Sequence, residues 1–217
     1  MTDLKKLHDA ILTGDLNAAI AATEEALAEK ADPQVLIKDY MVPAMGEAGR
    51  RFECEEYFVP ELLISARAMK GALALIGPLL AETGAEPAGR VIIGTVQGDL
   101  HDIGKNLVAS LLEGGGFEVI DLGTDVSPEG FVDAVRERKP HLIGLSALLT
   151  VTMSTMRATI EALEAAGLRD QVKIMVGGAP VTSDFAKQIE ADAYAENASV
   201  AVKRAKQLMS SFATNPD

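Results

Sequence analysis

The residue best placed for metal chemistry is His101, in the segment Gly98-Asp99-Leu100-His101-Asp102-Ile103-Gly104-Lys105-Asn106. A ligating imidazole needs one ring nitrogen free and the other tied to an acceptor that fixes its tautomer. Asp99, two residues earlier on the same turn, is placed to hold Nδ1 and leave Nε2 for a metal. The chain has three histidines and one cysteine, and none of the others is near His101 in sequence. A closed zinc site takes about four protein ligands. A metal that arrives inside an equatorial macrocycle, asking the protein for one axial ligand, fits better. Blander readings stand beside this one. Asp-x-His-x-x-Gly is a short pattern, Asp99 and His101 would equally cap a following helix, and the glycines would serve tight turns.

What must position this loop is legible in the hydropathy pattern. After Gly89, short apolar runs at 91–96, 119–122, 142–146, 172–176 and a weaker one at 193–195 alternate with helical segments near 103–112, 128–138, 153–166, 185–189 and 199–212. Runs apolar on both faces suit buried parallel strands, and the alternation implies right-handed crossovers. This half is therefore read as a doubly wound five-stranded α/β domain, in which ligands bind beyond the carboxyl ends of the strands. Three further loops fall at that edge: Ser146-Ala147-Leu148-Leu149-Thr150-Val151-Thr152, Gly177-Gly178-Ala179-Pro180 and Ala195-Glu196-Asn197. Convergence of four loops on one edge is what a single large ligand requires.

Up to about residue 83 the apolar residues recur at helical spacing instead. Leu4, Leu7, Ile11 and Leu12 form one stripe, and Asp15 caps the helix carrying Leu16, Ile20 and Leu27. Asp32-Pro33 opens a third helix, which Pro43 should bend. Pro60 opens a fourth, with Leu62, Leu63, Ala66, Met69, Leu73 and Ile76 along one side. The expected organisation is a four-helix bundle over 1–86, a Gly/Pro linker at 84–89, and the α/β domain over 89–217, with a frayed tail after Phe212.

Composition narrows the partners. Hydrophobic residues make up 48% of 217, there is no Trp, and the net charge is -12. Such a surface repels phosphate backbones, so neither nucleic acid nor anionic membrane is expected as a partner. Cys54 cannot form an internal disulfide and is read as inert packing in a reducing compartment. The first residues enter an amphipathic pattern without an apolar signal segment, and no uninterrupted apolar stretch spans a bilayer, so a cytoplasmic protein is expected.

The loop at 98–106, followed by Ser146-Ala147-Leu148 and Gly177-Gly178, resembles the B12-binding family of the type in which a histidine displaces the lower nucleotide base from cobalt. The stretch Phe52-Glu53-Cys54-Glu55-Glu56-Tyr57-Phe58-Val59-Pro60-Glu61-Leu62-Leu63 resembles the helical cap of methionine synthase and of methyltransferase corrinoid proteins. The resemblance covers nearly the whole chain. It implies cobalamin or a related corrinoid as cofactor, His101 as the lower cobalt ligand, Asp99 as the carboxylate on its other nitrogen, and Thr152 as the end of the relay, where methionine synthase commonly has Ser. Gly98, Asp102 and Ile103 belong to the same cofactor loop, and Gly104 would let the displaced nucleotide tail pass. Ser146, Leu148 and Thr150 would line the tail pocket, Gly177 and Gly178 would admit the buried base, and Ala195, Glu196 and Asn197 would close the pocket. In the cap, Phe52 and Val59 would shield the upper face, the latter where Leu is common.

By the same resemblance the chain is a methyl carrier, with cobalt alternating between Co(I) and methyl-Co(III). With no substrate domain in its 217 residues, it would take a methyl group from one methyltransferase and hand it to a second that uses a folate or thiol acceptor. A reductive activase would be a third partner. It would thus be a subunit of a methyltransferase system rather than a complete enzyme, with 84–89 as the hinge of the cap. A cobalamin-dependent sensor is the alternative, but its DNA-reading domain would need a basic face. An adenosylcobalamin mutase subunit lacks the cap stretch.

Overall fold

The computed structural model describes residues 4–83 and 87–213; residues 84–86 of the expected linker and the last four of the tail lie outside them. The described residues form two compact units, one running to Pro87 and including Glu113–Gly116, the other comprising Ala88–Leu112 and the chain from Phe117 onward.

The first unit contains four helical runs. α1 (Lys5–Thr13) ends at Gly14, whose left-handed φ of 75° lets its N–H reach the Ala10 and Ile11 carbonyls. Asp15 caps α2 (Leu16–Ala28) by accepting from the Ala18 N–H at 3.0 Å. Asp32 does the same for Gln34 at 2.8 Å at the start of α3 (Pro33–Val35). At Pro43, where a bend is expected, the helical run changes its hydrogen-bond pattern and continues. Residues Leu36–Met41 form a π turn in which the Val42 N–H bonds Ile37 O, and α4 (Val42–Glu53) follows. A proline ring clashes with the carbonyl four residues back, and the wider π turn gives that carbonyl room.

α5 (Val59–Thr83) buries Leu62, Ala66, Met69, Ala72 and Ile76 against α1, α2 and α4. By length and composition its Val59–Leu79 stretch, of mean hydropathy 1.4, is long and apolar enough to cross a membrane, although the expectation excluded only an uninterrupted apolar stretch. Charged residues such as Arg67 and Lys70 break the apolar run in sequence, but the helix carries a continuous apolar stripe and packs as the core of its unit. Cys54, expected as packing, is exposed beyond α4 with the Arg50 guanidinium 3.7 Å from Sγ.

On α4, Arg50 and Arg51 both donate to Glu47, at 2.8 to 2.9 Å. Hydrogen bonds from Arg50, then Arg51, lower its carboxyl from the ordinary 4.5 to about 2. A carboxyl-carbon NMR titration should place its midpoint near 2. The pair's support for the helix is then present above the ordinary value and fades only as pH falls through about 2. A midpoint above 4 would remove both guanidinium contacts from solution.

The second unit is a five-stranded parallel sheet: β1 (Arg90–Thr95), β2 (Glu118–Asp121), β3 (Leu142–Ser146), β4 (Lys173–Gly177) and β5 (Ala193–Ala195), in the order β2-β1-β3-β4-β5. α6 (Ile103–Gly114), α7 (Pro128–Arg138), α8 (Met153–Ala165), α9 (Ser183–Gln188) and α10 (Ala198–Ala213) connect and follow the strands. Successive strand residues serve opposite faces, as period-2 geometry requires. Ile92, Ile143, Ile174 and Val176 pack with Phe131, Val135, Met156, Ile160 and Leu163 of α7 and α8. Val91, Leu142 and Met175 pack with Leu112 of α6 and Ala201 and Ala205 of α10. Because β1 is flanked by β2 and β3, the chain order reverses there, which makes the β1/β3 carboxyl edge the switch point. The register puts Thr95 beside Ser146, Ser146 beside Gly177 and Gly177 beside Ala195. All four loops singled out above therefore leave the sheet from one row.

Candidate functional site

The ligand loop runs from β1 to α6. Thr95, the last residue of β1, is buried and its hydroxyl donates to the His101 carbonyl at 2.9 Å. Asp99 is fully buried. Its Oδ1 accepts from the His101 backbone N–H at 3.1 Å and lies 2.7 Å from His101 Nδ1. Its Oδ2 accepts from the Leu148 and Leu149 N–H groups at 2.7 and 3.1 Å and from the Thr152 hydroxyl at 2.9 Å. Burial pushes the Asp99 carboxyl up, but the Leu148 N–H, the His101 ring and N–H and the Thr152 hydroxyl together outweigh it and hold the group well below the usual carboxylate range. An ionised carboxylate only accepts, so Nδ1 carries the proton, and in the neutral ring Nε2 keeps its lone pair. The His101 side chain is 52% exposed. Asp99 is not a cap of α6; its five donors come from its own turn and from the loop after β3.

The surroundings of His101 are apolar and open to solvent. Leu100, Ile103, Leu148, Leu149 and Val151 are exposed large hydrophobics in the two loops that Asp99 ties together. Clustered apolar exposure of this kind marks a binding face. Gly104, in the first turn of α6, has no atom within 4 Å of where a Cβ would stand. Glycine inside a helix costs about 1 kcal/mol against alanine, and nothing in the fold itself asks for it here. Gly177 and Gly178 are different, because the chain requires both. A Cβ on Gly178 would stand 1.9 Å from the Ala147 carbonyl oxygen, and one on Gly177 2.9 Å from that of Ala195. Their smallness lets three chain segments converge.

The remaining expected residues fall as follows. Gly98, with φ 86°, donates its N–H to Asp125 Oδ1 at 2.7 Å. Asp102 is exposed and accepts from the Asn106 side chain at 3.1 Å. Ser146 is half-buried at the end of β3, and Thr150 is exposed in the single 3-10 turn before α8. Ala195 is buried and Glu196 exposed; Asn197 caps α10 by accepting from the Val200 N–H at 2.9 Å. Phe52, half-buried, and Val59, exposed, belong to the helical unit. Sequence reasoning missed Thr95, Lys105 and Asp121. Lys105 is buried with its ammonium paired to Asp121 and 2.7 Å from Asn106 Oδ1. A lysine inside the loop motif was the available signal. A cavity of about 290 Å³ lined by Lys187, Asp192, Tyr194 and Arg204 beside β5 contains none of the site residues.

Among the described residues no group of three or more His, Cys, Asp or Glu side chains could hold a metal by itself. The class defined by fold and site is a helical unit joined to a doubly wound sheet whose switch-point loop offers one half-exposed, tautomer-fixed histidine. Two models, each of a B12 binding domain, match residues 89–203 and 3–76. The chain is 43% identical over 207 residues to dimethylamine corrinoid protein 1 of Methanosarcina acetivorans, covering 95% of this chain and 97% of that one. It is 44% identical over 205 residues to trimethylamine corrinoid protein 2 of Methanosarcina mazei, covering 94% of each. Among solved structures it resembles the methanol:cobalamin methyltransferase complex MtaBC from Methanosarcina barkeri, with TM-score 0.84, 31% identity and coverage of 99% of this chain and 81% of that one. It also resembles a cobalamin-binding protein from Desulfitobacterium hafniense, with TM-score 0.81, 34% identity and coverage of 96% and 99%. The chain belongs to the B12-binding family, among its methyltransferase corrinoid proteins. Its cofactor is a corrinoid, and the donor set fits one: a single free imidazole nitrogen, an apolar exposed rim, and a glycine that leaves room beside it.

Proposed function

We propose that this chain is a methyl carrier in which His101 Nε2 is the lower axial ligand of a corrinoid cobalt. The observation that carries the reading is the Asp99–His101 contact at 2.7 Å, which fixes the ring tautomer on a half-exposed side chain. A bound corrinoid supplies a cobalt that takes up a methyl group and gives it away. The protein's own tasks are to hold that group, to present Nε2 and to limit water. Asp99 keeps the proton on Nδ1, and Thr152 donates to the far oxygen of the same carboxylate. A proton arriving at Nε2 would end ligation, so proton uptake and ligand release are coupled through this trio. Gly98, Asp102, Ile103 and Gly104 make the loop that receives the group. Ser146, Leu148, Thr150, Gly177, Gly178, Ala195, Glu196 and Asn197 would border the nucleotide tail of the group, and Phe52 and Val59 of the helical unit would shield it from water. The domains divide as 1–86 and 89–217.

Two methyltransferase partners complete the cycle, one loading the carrier and one, with a folate or thiol acceptor, unloading it; a reductive activase restores the reactive state. Relatives named for dimethylamine and trimethylamine make methylamines the first donors to test. The protein works in the cytoplasm.

The test is a visible spectrum after incubation with hydroxocobalamin and removal of free cofactor, for wild type and His101→Ala. Stoichiometric retention with a spectrum that changes in the variant is expected. Identical spectra would sink the ligand assignment, and a colourless wild type the whole reading. Gly104→Ala should separate fold from ligand. The corrinoid-free protein gains up to about 1 kcal/mol, while corrinoid affinity falls. Unchanged affinity would show that the space beside Gly104 is not used.

A further inference from the structure

Five described non-glycine residues have positive φ: Lys30, Glu55, Asp125, Lys139 and Glu190. Four of them stand just past the C-terminus of α2, α4, α7 or α9, where a left-handed residue ordinarily ends a helix. Asp125 does not. It lies in the loop between β2 and α7, three residues before the helix begins, with φ 55°. No helix end explains the left-handed backbone, which is unfavourable for a residue with a Cβ. Glycine would sit there freely. What glycine lacks is the carboxylate.

That carboxylate is used. Asp125 Oδ1 accepts from the Gly98 N–H at 2.7 Å, a charge-assisted bond to a residue that is itself left-handed at φ 86°. The Asp125 backbone N–H in turn donates to the Asp99 carbonyl at 3.0 Å. The two bonds bracket the Gly98–Asp99 peptide from both ends. The loop making them is anchored to β1, since Thr95 N–H donates to Gly123 O and Val126 N–H to Thr95 O, each at 3.0 Å. Asp99 must be aimed accurately, because five donors converge on its two oxygens.

We propose that Asp125 is a positioning residue for the axial ligand. It locks the Gly98–Asp99 turn so that the Asp99 carboxylate can hold His101 Nδ1, and so sets how fully Nε2 engages the metal. This rests on the assignment of His101 made above. The hydrogen bonds of Asp125 go to Gly98 and Asp99; it acts through Asp99.

The experiment loads wild type, Asp125→Ala, Asp125→Gly, Asp125→Asn and His101→Ala with hydroxocobalamin, and records visible spectra and corrinoid retention. Asp125→Ala should shift the spectrum toward that of His101→Ala and weaken retention by about tenfold, the lower end for loss of a group behind a metal ligand. Asp125→Asn keeps an oxygen acceptor and tolerates the left-handed conformation, so it should remain with wild type. Asp125→Gly relieves the strain without restoring the acceptor; it should melt no lower than Asp125→Ala yet share its spectrum. A purely structural role would change melting alone. Wild-type spectra in both Asp125→Ala and Asp125→Gly overturn the proposal, and Asp125→Gly decides alone if the alanine variant does not fold. If wild type and His101→Ala coincide, the ligand assignment itself has failed; if they differ while both Asp125 variants match wild type, only the positioning role has.

Discussion

Asp99→Asn is expected to destabilise the corrinoid-free protein by roughly 3 kcal/mol or more, two hydrogen bonds to a charged acceptor being worth about 1.5–3 kcal/mol each. The asparagine is nearly isosteric, so packing is kept and only the donor–acceptor count changes. The wild-type carboxylate accepts from His101 N–H and Nδ1 on one oxygen and from Leu148, Leu149 and Thr152 on the other. An amide has one oxygen, and its NH2 must face one of these two sets of donors in a fully buried place. Urea unfolding read by linear extrapolation measures the loss, and a change under about 1 kcal/mol would contradict the hydrogen-bond set. The pH dependence has a definite sign. The folded carboxyl lies below its unfolded value of about 3.9, so its contribution is fully present above that value and is lost as pH falls through the lower folded one. The gap between wild type and Asp99→Asn should therefore close as pH falls through the lower folded value.

Gly178→Ala is expected to cost more, above about 4 kcal/mol, a range reached only by a few mechanisms including strain at a special backbone conformation. Both the space and the backbone forbid a side chain here. The φ of 131° is one L residues rarely adopt, and the new Cβ would lie 1.9 Å from the Ala147 oxygen and 2.9 Å from its carbonyl carbon. That carbonyl cannot retreat cheaply, because Ala147 N–H is bonded to Gly177 O and the next two amides are bonded to Asp99. Gly177→Ala is the internal control. Its Cβ meets one oxygen at 2.9 Å with no positive φ, and about 1–3 kcal/mol is expected, as for ordinary overpacking. At about 2–4 °C per kcal/mol for a chain of this size, the two variants should differ clearly in a thermal melt. Equal melting temperatures would show that the Ala147–Gly178 contact relaxes.

How much of this could be read beforehand depends on the kind of interaction. β3 and α7 begin where the sequence is punctuated, after Pro140-His141 and at Ser127-Pro128, and their bounds follow from local turn chemistry. The Asp99–His101 contact is local too, spanning two residues. The rest of the Asp99 shell joins positions 49 to 53 residues apart, which only strand register brings together. The backbone amides of Leu148 and Leu149 carry no side-chain signature at all. Gly177 and Gly178 were legible as special positions, but the steric demand comes from Ala147 and Ala195, which sequence cannot place. The π turn before Pro43 trades one hydrogen-bond pattern for another at nearly the same hydropathy period. The left-handed conformation of Asp125 is equally silent, since aspartate is common in loops of every shape.

The long separation within the Asp99 shell also orders events in time. Until β3 has paired with β1, the Asp99 carboxylate has only the two donors of its own turn, and the loop holding Leu148, Leu149 and Thr152 is elsewhere. Parallel pairing of this kind needs a complete crossover and is slow to form. The contact with the imidazole is local, but the carboxylate that makes it gains its full set of donors late, once the chain as far as Thr152 has folded.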